Sequence, residues 1–276
     1  MSEPRRPLAD VLQRIVAQRK RRILEADVTR VAAPVHEAVE PLTREEQPFL
    51  GALAARRGEA IIAEVKMGSP RIGSLVDKVD PEVQARLYRD HGAAALSVVV
   101  EPDFFFGSYE LLARCKEASG LPAIAKDFIV DPIQIRWARQ AGADAVLLIA
   151  ALYSAERLLE LARIARRFGL VPLVELHDEE ELELLAGPAA PPAEDHGRFE
   201  LVGINHRDLR TFEVDLDHSR PLLPRLPQGA LRVAESGIAN GAQRRHLAAA
   251  GFDAFLIGES LLLAPDPAAQ LRELLS

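Results

Sequence analysis

Short apolar runs alternate with amphipathic segments along most of this chain. From Ala60 onward, each run of aliphatic and β-branched residues is followed by a segment with apolar residues at helical spacing, which is typical of repeated βα units and a parallel sheet. Each run therefore predicts a strand with a helix after it. The predicted strands are Ala60–Lys66, Ala94–Val100, Pro122–Lys126, Ala145–Ile149, Pro172–Glu175, Leu201–Asn205, Arg232–Glu235 and Ala254–Ile257.

Eight consecutive βα units favour a closed barrel over an open doubly wound sheet. The run Ala145–Ile149 is apolar throughout, as expected of a strand that is buried on both faces. The sequence contains neither a glycine-rich dinucleotide-binding turn after the first strand nor a visible antiparallel edge hairpin. We therefore predict an α/β protein with a (β/α)8 TIM barrel at residues 60–276 and an N-terminal helical extension at residues 1–59, together forming one domain.

Two segments lie outside this repeat. Pro7–Ile23 predicts an amphipathic helix, with apolar residues recurring at Leu8, Val11, Leu12, Ile15 and Val16. This helix either packs against one end of the barrel or covers the active-site mouth as a lid, and we expect mainly packing with some gating. The Pro- and Ala-rich run Gly187–Asp195 predicts an exposed, mobile loop at the barrel end away from the chemistry.

The composition argues against several classes of protein. The chain has 276 residues, of which 48% are hydrophobic and 27% charged, and its net charge of −7 argues against a nucleic-acid-binding surface. The one cysteine, Cys115 in the predicted helix Tyr109–Ala118, allows no disulfide framework. No apolar run reaches the roughly 18 residues of a membrane span, and none follows Met1–Leu8 as in a secretion signal. We expect a cytoplasmic protein without nucleic-acid or membrane partners.

Ionisable and amide side chains stand at or near the ends of the predicted strands: Glu64, Lys66, Glu101, Lys126, Glu175, Asn205 and Glu235. Active sites of such barrels are built at the C-terminal ends of the strands. A single one of these residues could simply be a solvated strand end. Several together predict a paired, ligand-facing network, because a barrel interior accepts charges only when they are paired. Neighbouring lysines and carboxylates suit general acid–base catalysis.

Glycine-containing turns follow the last two predicted strands. Glu235-Ser236-Gly237 follows the seventh strand, and Gly258-Glu259-Ser260 follows the eighth. Loops at these positions bind phosphate through backbone N–H groups in many barrels. Either glycine alone could serve only a turn. The pair predicts a small phosphorylated substrate.

The sequence offers no evident metal or nucleophile site, so we expect no metal and no cofactor. Six of the seven histidines lie scattered without metal-ligand spacing, and we interpret them as surface residues: His91, His177, His196, His206, His218 and His246. Ser69 and Ser236 have no histidine at an obvious partner position, which argues against serine nucleophiles.

At these residues the sequence resembles the indole-3-glycerol-phosphate synthase family over nearly its whole length. The matching stretches are Ile62–Lys66, Ser69-Pro70, Glu101, Phe104-Phe105, Gly107-Ser108, Lys126–Pro132, Leu173–Glu175, Gly203–Asn205, Arg207–Leu209, Val233–Gly237 and Ile257–Leu261. That family closes the indole ring of 1-(2-carboxyphenylamino)-1-deoxyribulose 5-phosphate with loss of carbon dioxide and water. In combination these stretches are highly specific.

The resemblance implies a role for each matching residue. Lys126 would be the general acid at the ketose carbonyl, and Lys66 would hold the anthranilate carboxylate and serve as acid in dehydration. Glu175 would be the matching base. The remaining implied residues fix this network or bind substrate: Glu64, Asn205, Glu235, Ser69, Phe105, Phe128, Arg207, Ser236, Gly237, Gly258 and Glu259. A monomer or weak homodimer is expected, with tryptophan-pathway enzymes as possible partners.

Several positions depart from the family pattern. Met67 and Ala125 stand where basic residues are common, which implies less positive charge at the mouth. Asp103 replaces a usual Lys, and His206 and Val100 replace a usual Asn and Thr. These departures leave open a specialised paralogue that acts on a modified anthranilate-derived substrate.

Two other interpretations remain. A phosphoribosylanthranilate isomerase works with a Cys and Asp pair, for which Cys115 is misplaced. A non-catalytic relative that binds a phosphorylated ligand would have no reason to keep Lys66, Lys126 and Glu175 together.

Overall fold

Eight parallel strands close into a barrel in the computed structural model, which describes residues 10–26, 46–186 and 199–276. The strands are β1 (Ala60–Val65), β2 (Ala95–Val99), β3 (Ala123–Lys126), β4 (Ala145–Ile149), β5 (Val171–Leu176), β6 (Leu201–Asn205), β7 (Leu231–Glu235) and β8 (Ala254–Ile257). Neighbours in sequence are neighbours in the sheet, and β1 pairs with β8 to close it. The predicted barrel is confirmed, with each predicted strand placed to within one residue.

Alternate residues of each strand face the inside of the barrel. Ile62, Ile124 and Leu173 belong to the interior core, whereas Ile61 and Val174 pack outward beneath the helices. Side chains along a strand alternate with a period of two. A polar residue at the end of a strand therefore faces the mouth of the barrel when it lies an even number of positions from these interior residues.

The helices of the described residues are α1 (Asp10–Glu25), α2 (Pro48–Ala54), α3 (Pro81–Asp90), α4 (Tyr109–Ser119), α5 (Pro132–Gln140), α6 (Ala155–Arg167), α7 (Glu179–Ala186), α8 (Gly241–Ala250), α9 (Glu259–Leu262) and α10 (Pro267–Leu275). Most begin at an Asp, Ser or Asn whose side chain accepts a backbone N–H; Asp131 forms a full capping box with Gln134. Within the part that the structure describes, no helix is long and apolar enough to cross a membrane.

The prediction of a helix after every strand is wrong for β6. Between β6 and β7 the chain forms only the short 3-10 helix Leu223–Arg225. The preceding segment instead folds back on itself through an antiparallel bridge between Arg207 and Val214. This segment therefore stays at the mouth as a loop rather than running down the outside of the barrel.

The two N-terminal helices lie at opposite ends of the barrel. Phe49, Leu50 and Leu53 of α2 are fully buried and join the interior core at the starts of the strands. Helix α1 instead reaches residues that follow β2 and β3, at the mouth. The described part of the predicted Pro7–Ile23 helix, α1, therefore lies at the mouth, and α2 packs against the opposite end. Residues 7–9 of the predicted Pro7–Ile23 helix, and the predicted loop Gly187–Asp195, lie outside the described residues.

Candidate active site

Five charged side chains meet at the mouth and are called here the mouth cluster: Glu64, Lys66, Lys126, Glu175 and Glu235. The Nζ atom of Lys126 lies 3.3 Å from Oε2 of Glu235 and 3.5 Å from Oε2 of Glu175. Lys66 donates to Glu64 over 2.8 Å. All three carboxylates are buried. The predicted convergence of strand-end charges is therefore present, with every carboxylate beside a lysine, as buried charges require.

Two glycines make room for these carboxylates. A Cβ atom on Gly203 of β6 would lie 2.0 Å from Oε1 of Glu235, and one on Gly258 would lie 2.4 Å from Oε1 of Glu64. Neither distance is compatible with van der Waals contact. The absence of a side chain at Gly203 and Gly258 thus allows Glu235 and Glu64 to pack inside the mouth.

Burial and neighbouring charges shift the pKa values of the two carboxyl groups beside Lys126 in opposite directions. Burial raises the pKa of Glu235, and the nearby charge of Glu175 raises it further, against the effect of Lys126. Burial alone would also raise the pKa of Glu175, but Lys126, His177 and Asn205 outweigh it, so this pKa is lowered. Burial opposes the charge of Lys126, but the surrounding glutamates raise its pKa. The cluster accordingly contains a protonated lysine, an ionised Glu175 and a Glu235 that holds a proton more readily.

His177 is a member of this site that sequence analysis missed. The prediction of a surface position is wrong, because the side chain is 11% exposed and its Nε2 lies 3.3 Å from Oε1 of Glu175. Its Nδ1 lies 3.2 Å from Oε2 of Glu181. Strand periodicity was the available signal, since residues 175 and 177 face the same side of an extended chain.

His206 is also buried, at 2% exposure, which contradicts the predicted surface position. Its Nδ1 lies 3.0 Å from the carbonyl oxygen of Glu235, and its Nε2 lies 3.0 Å from Oγ of Ser219. Burial lowers the pKa of His206 to about 4, so the ring is neutral at pH 7. His206 therefore ties the loop after β6 to the end of β7.

The loops after β7 and β8 meet at one edge of the mouth. Ser236 and Gly237 have φ angles of 68° and 80°, a left-handed pair that turns the backbone sharply after Glu235. Ser260 donates to the carbonyl of Ile238 over 2.9 Å and joins the two loops. Glu259 accepts from Arg207 over 3.0 Å and also from Arg71. Two arginines therefore converge beside the predicted phosphate loops.

Aromatic, hydroxyl and amide groups complete the mouth. The rings of Phe105 and Phe128 lie 5.9 Å apart, one after β2 and the other after β3. Ser69 lies in a small antiparallel hairpin that follows β1, where its Oγ accepts from the N–H of Ile72 over 3.2 Å. Asn205, at the end of β6, accepts from the N–H of Arg207 over 3.0 Å.

Helix α1 is held at this mouth by two arginines. Arg19 forms a buried, two-point ion pair with Asp127, with distances of 3.0 and 2.5 Å. Arg22 pairs with Asp103 over 2.6 and 2.8 Å at the surface. Asp127 directly follows Lys126, so α1 is linked to the backbone that carries that lysine. The departure from the family at Asp103 supplies the partner of Arg22.

Four residues that the sequence analysis singled out are not members of the mouth cluster. Glu101 is buried, but its carboxylate accepts the backbone N–H groups of residues 103–105 and thus shapes the loop after β2. Ala125 and Met67 pack in the outer core. The expectation that Ala125 reduces positive charge at the mouth is therefore wrong, because its side chain faces away from it. Cys115 is buried on α4, with Sγ 3.6 Å from the carbonyl of Pro81.

A cavity of about 420 Å³ opens beside the mouth cluster, on the side of β5 and β6. Its walls include Leu12 of α1, His177 and Asn205, together with the loop after β6. Neither Lys66 nor Lys126 is among its lining residues. The cavity therefore adjoins the mouth cluster without containing its lysines.

Comparison with known proteins identifies close sequence relatives. The family model described as indole-3-glycerol phosphate synthase matches residues 12–274. The indole-3-glycerol phosphate synthase of Rhodopirellula baltica is 45% identical over 228 residues, covering 83% of this chain and 85% of its own length. Those of Polaromonas sp. and Acidithiobacillus ferrooxidans are 39% and 37% identical, each covering 97% of this chain and 98% and 99% of their own lengths.

Solved structures with low sequence identity share the fold. Thiamine phosphate pyrophosphorylase from Pyrococcus furiosus superposes with a TM-score of 0.55 at 16% identity, covering 80% of this chain and 95% of its own. The 3-hexulose-6-phosphate synthase of Salmonella typhimurium gives 0.56 at 16% identity, covering 78% and 96%. These matches support the barrel architecture alone.

Proposed function

Because this chain belongs to the indole-3-glycerol phosphate synthase family, we propose that it converts 1-(2-carboxyphenylamino)-1-deoxyribulose 5-phosphate into indole-3-glycerol phosphate. The reaction is a decarboxylating ring closure of tryptophan biosynthesis. The observation that carries the proposal is Lys126, held between Glu175 and Glu235 at the mouth of the barrel. A lysine in this setting is charged and therefore carries the proton that the ring closure requires.

Lys126 acts in ring closure. The ring carbon that bears the carboxylate attacks the ketose carbonyl carbon, and Lys126 protonates the carbonyl oxygen as the new bond forms. Loss of carbon dioxide then restores the aromatic ring. The raised pKa of Lys126 keeps it in the acid form before substrate binds.

Lys66 and Glu175 act in the dehydration that follows. The hydroxyl formed at ring closure leaves as water with a proton from Lys66, and Glu175 takes the proton from the neighbouring carbon. The lowered pKa of Glu175 supplies the anion that a base requires. Glu64 holds the Lys66 ammonium over 2.8 Å, and Asn205 hydrogen bonds to Glu175.

The remaining mouth residues bind the substrate. Lys66 and Ser69 contact the anthranilate carboxylate, and Phe105 and Phe128 flank its ring. Glu235 contacts the sugar hydroxyls. The phosphate lies against the backbone N–H groups of the two loops, beside Arg207; the loop residues are Ser236, Gly237, Gly258 and Glu259. We also propose a cytoplasmic location, which a single buried free thiol supports.

Indole formation from the substrate, followed by fluorescence without added metal, tests this function. We expect turnover by the native chain and none by Lys126→Met, with substrate affinity changed by less than about threefold, because a general acid acts mainly in the transition state. The matched control is Lys116→Met, which removes a lysine paired with Asp144 over 2.6 Å away from the mouth. Near-normal turnover by Lys126→Met would contradict the assigned role. Substrate binding without turnover by the native chain would favour a modified substrate.

A further inference from the structure

His177 stands between two carboxylates at the edge of the mouth cluster. Its Nε2 faces Oε1 of Glu175 at 3.3 Å, and its Nδ1 faces Oε2 of Glu181 at 3.2 Å. A neutral imidazole has one donor nitrogen and one acceptor nitrogen, whereas an imidazolium has two donors. With a carboxylate oxygen within 3.3 Å of each ring nitrogen, two neighbouring negative charges stabilise the ring in its charged form.

The backbone of His177 is held as firmly as its ring. Its N–H donates to Oε2 of Glu181 over 2.7 Å, and its carbonyl accepts from Nε2 of His218 over 2.7 Å. Glu181 is in α7, and His218 is in the segment after β6. These two elements thus hold the backbone that carries the ring beside Glu175.

His177 completes a row in which carboxyl groups alternate with basic groups. The row runs from Glu235 through Lys126, Glu175 and His177 to Glu181. Without the charge of His177, the two buried carboxyls beside Lys126 would share a single cation, and either could take up a proton. With it, one oxygen of Glu175 faces His177 and the other faces Lys126. The extra positive charge favours the anion on Glu175 and the proton on Glu235.

We propose that His177 is a positioning residue which, as an imidazolium held between Glu175 and Glu181, keeps Glu175 ionised as the base of the reaction. The proposal rests on the ring-closing function proposed above. His177 acts through Glu175 and does not itself touch the reacting atoms. Other ionisable groups line the adjoining cavity and face the same region: Asp178, Glu180, His206, Arg207, Asp208, Arg210, Glu213, Asp215 and His218.

The electrostatic surroundings of His177 also favour its charged form. Burial would lower the pKa of His177, but hydrogen bonding and charge from Glu175 and Glu181 raise it to about 10. The ring is then charged throughout the range in which the enzyme would be assayed.

The pH profile of the variant His177→Gln tests the role. Loss of the cation raises the pKa of Glu175, so the acidic limb of the kcat profile should move to higher pH by about 1 to 2 units, as removing a neighbouring opposite charge does. KM should change by less than about twofold, since ground-state contacts remain. An acidic limb that stays where the native chain has it, with activity lost in equal proportion at every pH, would overturn the proposal, because a merely structural defect has no such pH dependence.

The control is His246→Gln, which removes an exposed histidine that faces Asp217 at 3.3 Å on the outside of the barrel. Its profile should match that of the native chain.

A second measurement needs neither substrate nor a folded variant. In the substrate-free native protein, the NMR signals of the His177 ring should stay at imidazolium values from pH 6 to pH 9. A titration midpoint near the unperturbed value of about 6.5 would overturn the proposal. This measurement separates a failure of the His177 proposal from a failure of the proposed reaction.

Discussion

Replacing Gly203 by alanine should remove activity by displacing a carboxylate. The added Cβ atom would lie 2.0 Å from Oε1 of Glu235 and 3.1 Å from its Cδ. Ordinary contact needs about 3.5 Å, so the oxygen must move by about 1.5 Å. The contact between Lys126 and Glu235 is 3.3 Å, and a shift of this size is enough to break it.

The expected loss is about 100-fold in kcat/KM, the scale associated with misplacing a reacting group by about 1 Å. That factor corresponds to about 2.7 kcal/mol of transition-state stabilisation. The free energy of unfolding should change by less than about 1 kcal/mol, because alanine restricts the unfolded chain and the displaced atoms end a flexible side chain. Steady-state fluorescence of indole formation and urea unfolding measure the two quantities.

A double-mutant cycle with Glu235→Ala isolates the cause. Once the Glu235 carboxylate is removed, the new methyl group meets nothing of Glu235, so Gly203→Ala should have little further effect on the residual activity. An equal loss in both backgrounds would refute the reasoning, as would a Gly203→Ala variant with activity close to that of the native chain.

Three further predictions concern the surroundings of the site. Arg19→Met leaves a buried carboxylate without its cation and should lower the free energy of unfolding by about 3 kcal/mol in urea unfolding. Arg22→Met, at an exposed pair, should lower it by less than about 1 kcal/mol. Similar losses in the two variants would contradict the expectation that burial sets the cost. The pKa of His206 is lowered to about 4 in the folded state, so the unfolded state binds its proton first as pH falls and stability is lost below pH 6.5. Measured as the difference between the native protein and His206→Asn, that loss should be about 2 kcal/mol between pH 7 and pH 5, and equal pH dependence in both proteins would oppose it. Gly237→Ala places a Cβ 2.2 Å from Val214 beside the proposed phosphate loop and should raise KM at least about tenfold. The control Gly229→Ala has a similar positive φ but nothing within 4 Å of the added Cβ, so it should leave KM unchanged. Equal KM values in the two variants would remove the phosphate assignment.

The sequence by itself determines the eight strands and the ionisable residues at their ends. Strand and helix patterns repeat with periods of 2 and 3.6 residues, and these periods depend only on nearby residues. The positions of Lys126, Glu175 and Glu235 at strand ends then follow from the barrel, which brings all the C-terminal ends together. The alternation of β5, continued past Leu176, would have put His177 in line with Glu175, but the histidines were considered singly and a surface position was predicted for it.

Tertiary structure alone decided the contacts between distant segments. Gly203 reads in sequence as one glycine inside a strand, and only the register of β6 against β7 shows that its missing side chain makes room for Glu235. Arg19 and Asp127 are 108 residues apart, so no periodicity links them, yet their pairing places α1 at the mouth. After β6, the bridge between Arg207 and Val214 replaced an expected helix. Such contacts depend on how helices, strands and loops that are distant in sequence approach one another in space. A repeating local pattern contains no information about that approach.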